Sequence, residues 1–323
     1  MRAFKWTALA LFVAVSPAAA QNYPARPITF IVPYAAGGTT DVLARIVGKA
    51  LGAELGQTII IENVGGAGGT IGTQRVVRAE SDGYTLTFGN MGSLAANVSL
   101  YPNLSFDPRK DLTPVGLTAT VPMVLSASKK SAVGDLAAFL KKLREKDDAV
   151  NFGTSGPGST GHLAAVMFLH VTKTKATLVT YRGAGPAIND LVAGVVDAVI
   201  DQTVTMIPQH TGGGVSSLAV SSKARLAQIP DVPTFAEAGV PEFDLTVWNA
   251  IAAPRSTPPA VIERLEKALG VALNDPDLKK RYAELAAEPP SPDSQGSEPL
   301  RKLIASDVER LGAIIKAAGL KGE

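Results

Sequence analysis

Three short stretches hold the residue types that could do chemistry: YAAGGTTD (34–41), GTSGPGSTGH (153–162) and YRGAGPA (181–187). Each joins an apolar, strand-like run to a helical pattern. A helix start offers unpaired N–H groups and roughly half a unit of positive charge, so such a turn can hold an anion. Gly37, Gly38, Gly156 and Gly183 allow the backbone to approach a ligand closely. Thr39, Thr40, Ser155, Ser159 and Thr160 add hydroxyl donors. An anion could be held this way without a buried lysine or arginine. Any one of these turns is equally readable as a tight turn with a Ser/Thr cap, and it is the recurrence that favours binding.

Other chemistries fit poorly. No turn supplies the lysine of a phosphate loop. In GAGGTIG, Ile71 stands where a dinucleotide fingerprint needs its third glycine, and Gly72 comes one residue late. Pro157 breaks the nucleophile elbow G-x-S-x-G around both Ser155 and Ser159. His162 and His170 lie two helical turns apart, too far for an i, i+4 zinc pair. His162 reads as a site residue or as a capping or core histidine, His170 as structural, and His210 as a loop residue. Asp201, after the short strand AVID, could accept from a ligand or from a backbone N–H. No cofactor is expected.

These turns sit in an alternating pattern. PITFIVPY, QTIIIEN and GYTLTFGN read as strands, with helical TDVLARIVGKALGAELG and TQRVVRAE between them. This βαβαβ rhythm predicts an α/β fold with a parallel sheet and helices on both faces. The middle of the chain repeats the rhythm around the second and third turns and adds the short strands AVIDQ and SSLAVSS. Beyond WNAIAAP the chain becomes helical, and AAEPPSPDSQGSEP (286–299) reads as a surface loop between helices.

The first residues, MRAFKWTALALFVAVSPAAAQ, have a basic start, an apolar core from Thr7 to Val15 and small residues at Ala18–Ala20. They predict a cleaved secretory signal peptide over 1–20, since the apolar run is too short for a membrane span. Removing it lowers Lys plus Arg from 31 to 29, equal to the 29 Asp plus Glu. A neutral chain carries no nucleic-acid footprint. The absence of cysteine excludes disulfides, thiolate metal sites and a lipidated N-terminal cysteine. A periplasmic protein is expected.

In this order, VPYAAGGTTDVLAR, IENVGGAGGTIG, SDGYTL, SFDPRKDLTPVG, NFGTSGPGSTGHL, VTYRGAGPAINDLVAGVVD and IPDVPTFAEAGVPEFDLTVW closely resemble the tripartite tricarboxylate transporter substrate-binding proteins, the Bug family of periplasmic receptors. The resemblance covers nearly the whole mature chain. It implies a type II periplasmic-binding-protein fold: two α/β lobes joined by two crossovers, with the ligand cleft between them. Lobe 1 would take 23–121 plus 248–323 and lobe 2 would take 122–247, with crossovers at TVPMV and DLTVWN.

The resemblance also implies a site. Carried onto this sequence, the carboxylate clasp involves Tyr34, Ala36, Gly37, Gly38, Thr39 and Asp41 from the first turn. The second turn gives Thr154, Ser155, Ser159, Thr160 and His162, and the third gives Arg182 and Gly183. Asn90, Ser93 and Asp201 complete the set. Of these, Asp41 is expected to brace the first turn of its helix rather than touch ligand. Val64 replaces a usual basic residue, Ala250 a usual glycine, and HTGGGV departs from a usual Ile-x-x-Gly-Lys. The expected protein is a monomeric receptor, not an enzyme. It would bind a small carboxylate, a dicarboxylate by preference, for the large and small membrane subunits of a tripartite tricarboxylate-type transporter. The alternatives are a ligand sensor for a signalling partner and an exported serine hydrolase using Ser155 or Ser159 with His162.

Overall fold

The computed structural model describes residues 23–145 and 150–317; the expected signal peptide lies outside them. The first βαβαβ unit comprises β1 (Ile28–Val32), α1 (Thr39–Leu55), β2 (Ile59–Asn63), α2 (Thr70–Val77) and β3 (Thr85–Asn90), with β2 and β3 both parallel to β1. Strand alternation sorts the side chains of β1 between two cores. Ile28, Phe30 and Val32 pack with Leu43, Val47 and Leu51 of α1, whereas Ile31 joins the opposite core. The four-residue spacing in α1 puts its three side chains on one stripe.

Two short helices, α3 (Asn97–Leu100) and α4 (Pro108–Asp111), lead into β4 (Leu112–Ser128). The second unit follows as α5 (Leu136–Glu145), β5 (Asn151–Thr154), α6 (Thr160–Thr172), β6 (Thr177–Thr180), α7 (Ala184–Ala193), β7 (Ala198–Gln202), α8 (Thr203–Thr211) and β8 (Val215–Val220). In it, β6 and β7 are parallel to β5. The chain then returns through β9 (Thr246–Pro254) and ends in α9 (Pro259–Ala272), α10 (Pro276–Glu284) and α11 (Ser297–Ala317).

The sheet is mixed rather than parallel. Its order is β2-β1-β3-β9-β4-β7-β5-β6, with β8 added to β4. Each unit is parallel internally, but β4, β8 and β9 run antiparallel to their neighbours. Local periodicity reports a strand but not its partner, so the direction of β9 depends on where the returning chain finds a place, between β3 and β4. One strand thereby belongs to both units. Leu112–Pro122 of β4 pair with β9, and beyond Pro122 the same strand lies between β7 and β8.

The proline-rich segment is more than a surface loop. Thr120 of β4 and Glu288 exchange backbone hydrogen bonds of 2.8 and 2.9 Å, which strap the segment onto the shared strand. Trp248 of β9 is buried beside this place, and its Nε1 donates to Asp307 Oδ2 of α11 at 2.7 Å. Arg310 Nε donates to the other carboxylate oxygen at 2.8 Å.

The second unit is stabilised largely by aromatic packing. Phe168 of α6 lies 6.0–6.4 Å, centroid to centroid, from Phe139, Phe152, Phe235 and Phe243. Phe168→Ala should therefore cost about 3–5 kcal/mol, because it removes a ring from the middle of a close-packed cluster. The check is a urea titration, in which the midpoint falls at an unchanged slope. A loss below about 1 kcal/mol would contradict the packing described.

Candidate functional site

Four helices begin around one tight cavity of about 20 Å³. Gly38, Thr39 and Thr40 line it at the start of α1, Ser159 and Thr160 at α6, Ala184 at α7 and Gln202 at α8. Tyr34, Asn90, Ser155 and Asp201 complete the lining, which includes no lysine or arginine among the described residues. Gly38, Gly183 and Gln202 give their helices no side-chain cap. The first-turn N–H groups of α1, α7 and α8 are thus left for another acceptor, and their dipoles add positive potential in the cavity.

The first unit holds its side of the cavity by a chain of hydrogen bonds. Asn90 Oδ1 accepts from Tyr34 Oη at 2.8 Å and from Gly92 N at 3.0 Å, while Asn90 Nδ2 donates to Thr40 Oγ1 at 3.1 Å. Ser93 does not line the cavity; its Oγ accepts from Asn90 N at 3.2 Å and so fixes the asparagine. Burial pushes the Tyr34 phenol well above its ordinary range and keeps it neutral. Asp41 is also outside the cavity. Its carboxylate accepts from Gly37 N at 3.0 Å, Arg45 Nη2 at 2.9 Å and Asn63 Nδ2 at 3.1 Å. Burial would raise its pKa, but these donors outweigh burial and hold it below the ordinary carboxylate range.

The second unit contributes an acid to the cavity. Asp201 is 2% exposed; its Oδ2 accepts from Thr205 Oγ1 at 2.6 Å and from Thr39 Oγ1, across from the first unit, at 3.4 Å. Burial raises its pKa from 3.8 to about 6, against the opposing hydrogen bonds from Thr205, Gln202 N and Thr39. Ser159 caps α6, its Oγ accepting from His162 N at 3.2 Å. His162 is buried with Nδ1 unpartnered among the described residues, and burial lowers its pKa. Its ring makes no hydrogen bond to Ser155 or Ser159 among the described residues, so the base–nucleophile pair of a serine hydrolase is not assembled. Thr154 points away from the cavity, its hydroxyl donating to Val179 O at 3.5 Å.

The remaining expected residues form a seam between turns. Ala35 N donates to Arg182 O at 3.1 Å, and a Cβ on Gly183 would lie 2.7 Å from Ala35 N. Gly37 takes φ +82°, which favours glycine, and Ala36 O would meet a Cβ on Gly185 at 2.3 Å. Ala36, Gly37, Arg182 and Gly183 therefore join the first and third turns backbone to backbone rather than line the cavity. The exposed Arg182 side chain borders an outer pocket with Tyr34, Gly65–Gly69 and Ser155. Ala184 and Gln202 line the cavity without having been singled out in the sequence. Thr40, noted there as a hydroxyl donor, lines it as well.

The family model of the tripartite tricarboxylate transporter family receptor matches residues 43–320. The chain belongs to this family of periplasmic solute-binding receptors. BugT of Bordetella pertussis is 34% identical over 320 residues, covering 97% of each chain. An Agrobacterium vitis protein named for the TAR-I ttuE-ttuC' intergenic region is 39% identical, covering 98% of this chain and 92% of its own. Among solved structures, MatC of Rhodopseudomonas palustris with bound malate aligns with a TM-score of 0.87 at 36% identity, over 91% of this chain and 100% of its own. An R. palustris protein with adipate aligns with a TM-score of 0.87 at 32% identity, over 93% of this chain and 99% of its own. The fold is accordingly the two-lobe α/β fold of periplasmic binding proteins, and the family is one of receptors rather than enzymes. No helix among the described residues is long and apolar enough to cross a membrane.

The buried Asp201 gives a pH signature. Its folded pKa lies above the unfolded value, so folding takes up a proton between about 4 and about 6, and stability falls as pH rises through that window. Asp201→Asn should remove that fall. The stability of the ligand-free variant relative to wild type should rise by about 2–3 kcal/mol between pH 4 and pH 7. Denaturant titrations at both pH values check this, and identical pH dependence in the two proteins would show Asp201 to be solvated.

Proposed function

We propose that this protein captures a small dicarboxylate in the periplasm, having been exported by a cleaved signal peptide. Two lobes, 23–121 plus 248–323 and 122–247, close on the ligand. The loaded receptor then delivers it to the large and small membrane subunits of a tripartite tricarboxylate-type transporter. The observation that carries this reading is the convergence of four helix starts, three of them without a side-chain cap, on a cavity whose lining has no cationic side chain. A carboxylate accepts from such N–H groups and is stabilised by the aligned dipoles. Relatives of the same fold hold malate and adipate, both diacids, which supports the ligand class.

The lobes would meet across the cavity through Thr39 of α1, and through Tyr101, whose Oη donates to Pro157 O at 2.7 Å. Ligand favours closure only so far as it binds the closed arrangement better than the open one. Contacts made to both lobes at once supply that difference, and the cavity lining comes from both.

The test uses Trp248, the single tryptophan outside the expected signal peptide. Titrating ligand-free protein with mono-, di- and tricarboxylates should give a saturable fluorescence change and a raised Tm for diacids, with the ligand recovered unchanged. Silence across the panel would sink the receptor reading. Thr39→Val should weaken the best diacid about tenfold or more, the size of a lost hydrogen bond to a charged group. Ser159→Ala should weaken it too, but should also lower stability by about 1 kcal/mol, because Ser159 caps α6. Wild-type affinity in both variants would remove the proposed clasp.

A further inference from the structure

At about 20 Å³ the cavity has room for about one water molecule. An oxygen of a carboxylate seated there is a near neighbour of Asp201, which lines it and is 2% exposed. Helix starts stabilise one such charge, but two carboxylates in contact do not both stay ionised without a cation between them. No lysine or arginine lines the cavity among the described residues. One of the two acids must carry a proton.

The hydrogen bonds around Asp201 give that proton a seat. Thr205 Oγ1 lies 2.6 Å from Asp201 Oδ2 and 2.9 Å from Gln202 O, both acceptors while Asp201 is ionised. A threonine hydroxyl has one proton and can serve only one of them. Protonated, Asp201 supplies a second: Oδ2 donates to Thr205, and Thr205 donates to the carbonyl. A neutral Asp201 also has less hold on the Thr39 hydroxyl, 3.4 Å away, which is freed to donate to the ligand.

The other titratable groups near Asp201 are otherwise engaged or neutral. Tyr34 lines the cavity as a neutral phenol, and Asp41 and Arg45 of α1 pair with each other. Burial lowers the pKa of His162 of α6, which keeps the imidazole neutral at neutral pH. Asp190 of α7 accepts from Tyr181 Oη, and α8 has no titratable side chain before His210, which meets Asp231. Met123, Val124 and Leu125 of β4, running beside Asp201, are apolar.

We propose that the receptor takes up a proton with its ligand, Asp201 Oδ2 receiving it from solvent as the ligand carboxylate enters the cavity. The inference rests on the carboxylate-receptor reading of the same cavity. Burial, which already raises the acid to about 6 in the ligand-free protein, acts in the same direction. Above about 6 the free Asp201 is ionised and the bound one protonated, so affinity falls as pH rises. Below that value the proton is already in place and the coupling fades.

Calorimetric titration of ligand-free wild type and Asp201→Asn with malate, succinate and adipate, in buffers of different ionisation enthalpy, counts the protons directly. At about pH 7 wild type should take up between half and one proton per ligand bound. Its affinity should fall by up to about tenfold per pH unit between about pH 6.5 and about pH 8.5. Asp201→Asn keeps the shape of the protonated acid and a donor towards Thr205. It should bind without proton uptake, at an affinity that is flat over the range and exceeds wild type at its upper end. A wild type that binds a diacid with no proton uptake and unchanged affinity over the range overturns this inference alone, whether or not the variant folds. Uptake that persists in Asp201→Asn also overturns it, because the proton then sits on the ligand or on His162. So does an equal loss of affinity in the variant at every pH, the mark of a merely structural residue. A wild type silent towards all three diacids overturns the receptor reading, and the inference with it.

Discussion

Peptide dipoles act over a few ångströms, so an anion held without lysine or arginine needs several helix starts brought within that reach. In this chain the helix starts come from separate βα turns, and what draws them together is a backbone contact. Ala35 N donates to Arg182 O, and the first and third turns meet where Gly183 and Gly185 present no Cβ. A methyl group at Gly185 would sit 2.3 Å from Ala36 O, which no side-chain shift can relieve. Everything else at the site depends on that approach. The Tyr34–Asn90–Thr40 chain fixes one wall, and the capped start of α6 fixes the other. Asp41 is then a brace, its carboxylate consumed by Gly37, Arg45 and Asn63 so that the turn keeps its shape.

Asp201 runs against this arrangement, since a carboxylate in the cavity opposes the charge that the dipoles would attract. Burial eases the conflict by raising its pKa to about 6, and the Thr205 and Thr39 hydroxyls share the charge that remains. The bond from Thr39 crosses between the two units, so the acid that opposes an anion also ties the units together. Protonation would turn Asp201 from an acceptor into a donor towards an incoming carboxylate.

Much of this was legible in the sequence, and the reasons differ by residue. Glycines and hydroxyls at a strand-to-helix junction are a local pattern, so Gly38, Thr39, Ser155, Ser159 and Thr160 could be found from spacing alone. Asp41 could be read as a first-turn brace for the same reason. Glycine reports that a backbone is approached, however, and not by what. Gly37 and Gly183 look like ligand-facing glycines in sequence and turn out to face another turn. Arg182 was drawn in with them, although its main chain is what the seam uses. Gln202 carried no local signal beyond its place after Asp201 at a strand end, because its nearness to the other helix starts comes from the fold. The antiparallel course of β9 was hidden likewise, since pairing across the sheet is not written in the period of one strand.

The division between main chain and side chain bears on specificity. Structures of the same fold hold malate in one case and adipate in another, a short hydroxy diacid and a longer plain one. Main-chain N–H groups at helix starts present the same donors whatever side chains follow, so a clasp made of them takes one carboxylate from either ligand. Discrimination must then arise where the rest of the ligand lies, from the depth of the cavity and from the side chains that line it. On the proposed receptor reading, the polar side chains that line it here are Tyr34, Thr39, Thr40, Asn90, Ser155, Ser159, Thr160, Asp201 and Gln202, all uncharged apart from the aspartate. A neutral wall that mixes donors and acceptors accepts hydroxyl and carboxyl oxygens alike only where their spacing matches. If that reading holds, exchanging these side chains alters ligand choice without disturbing the backbone seam that brings the helix starts together.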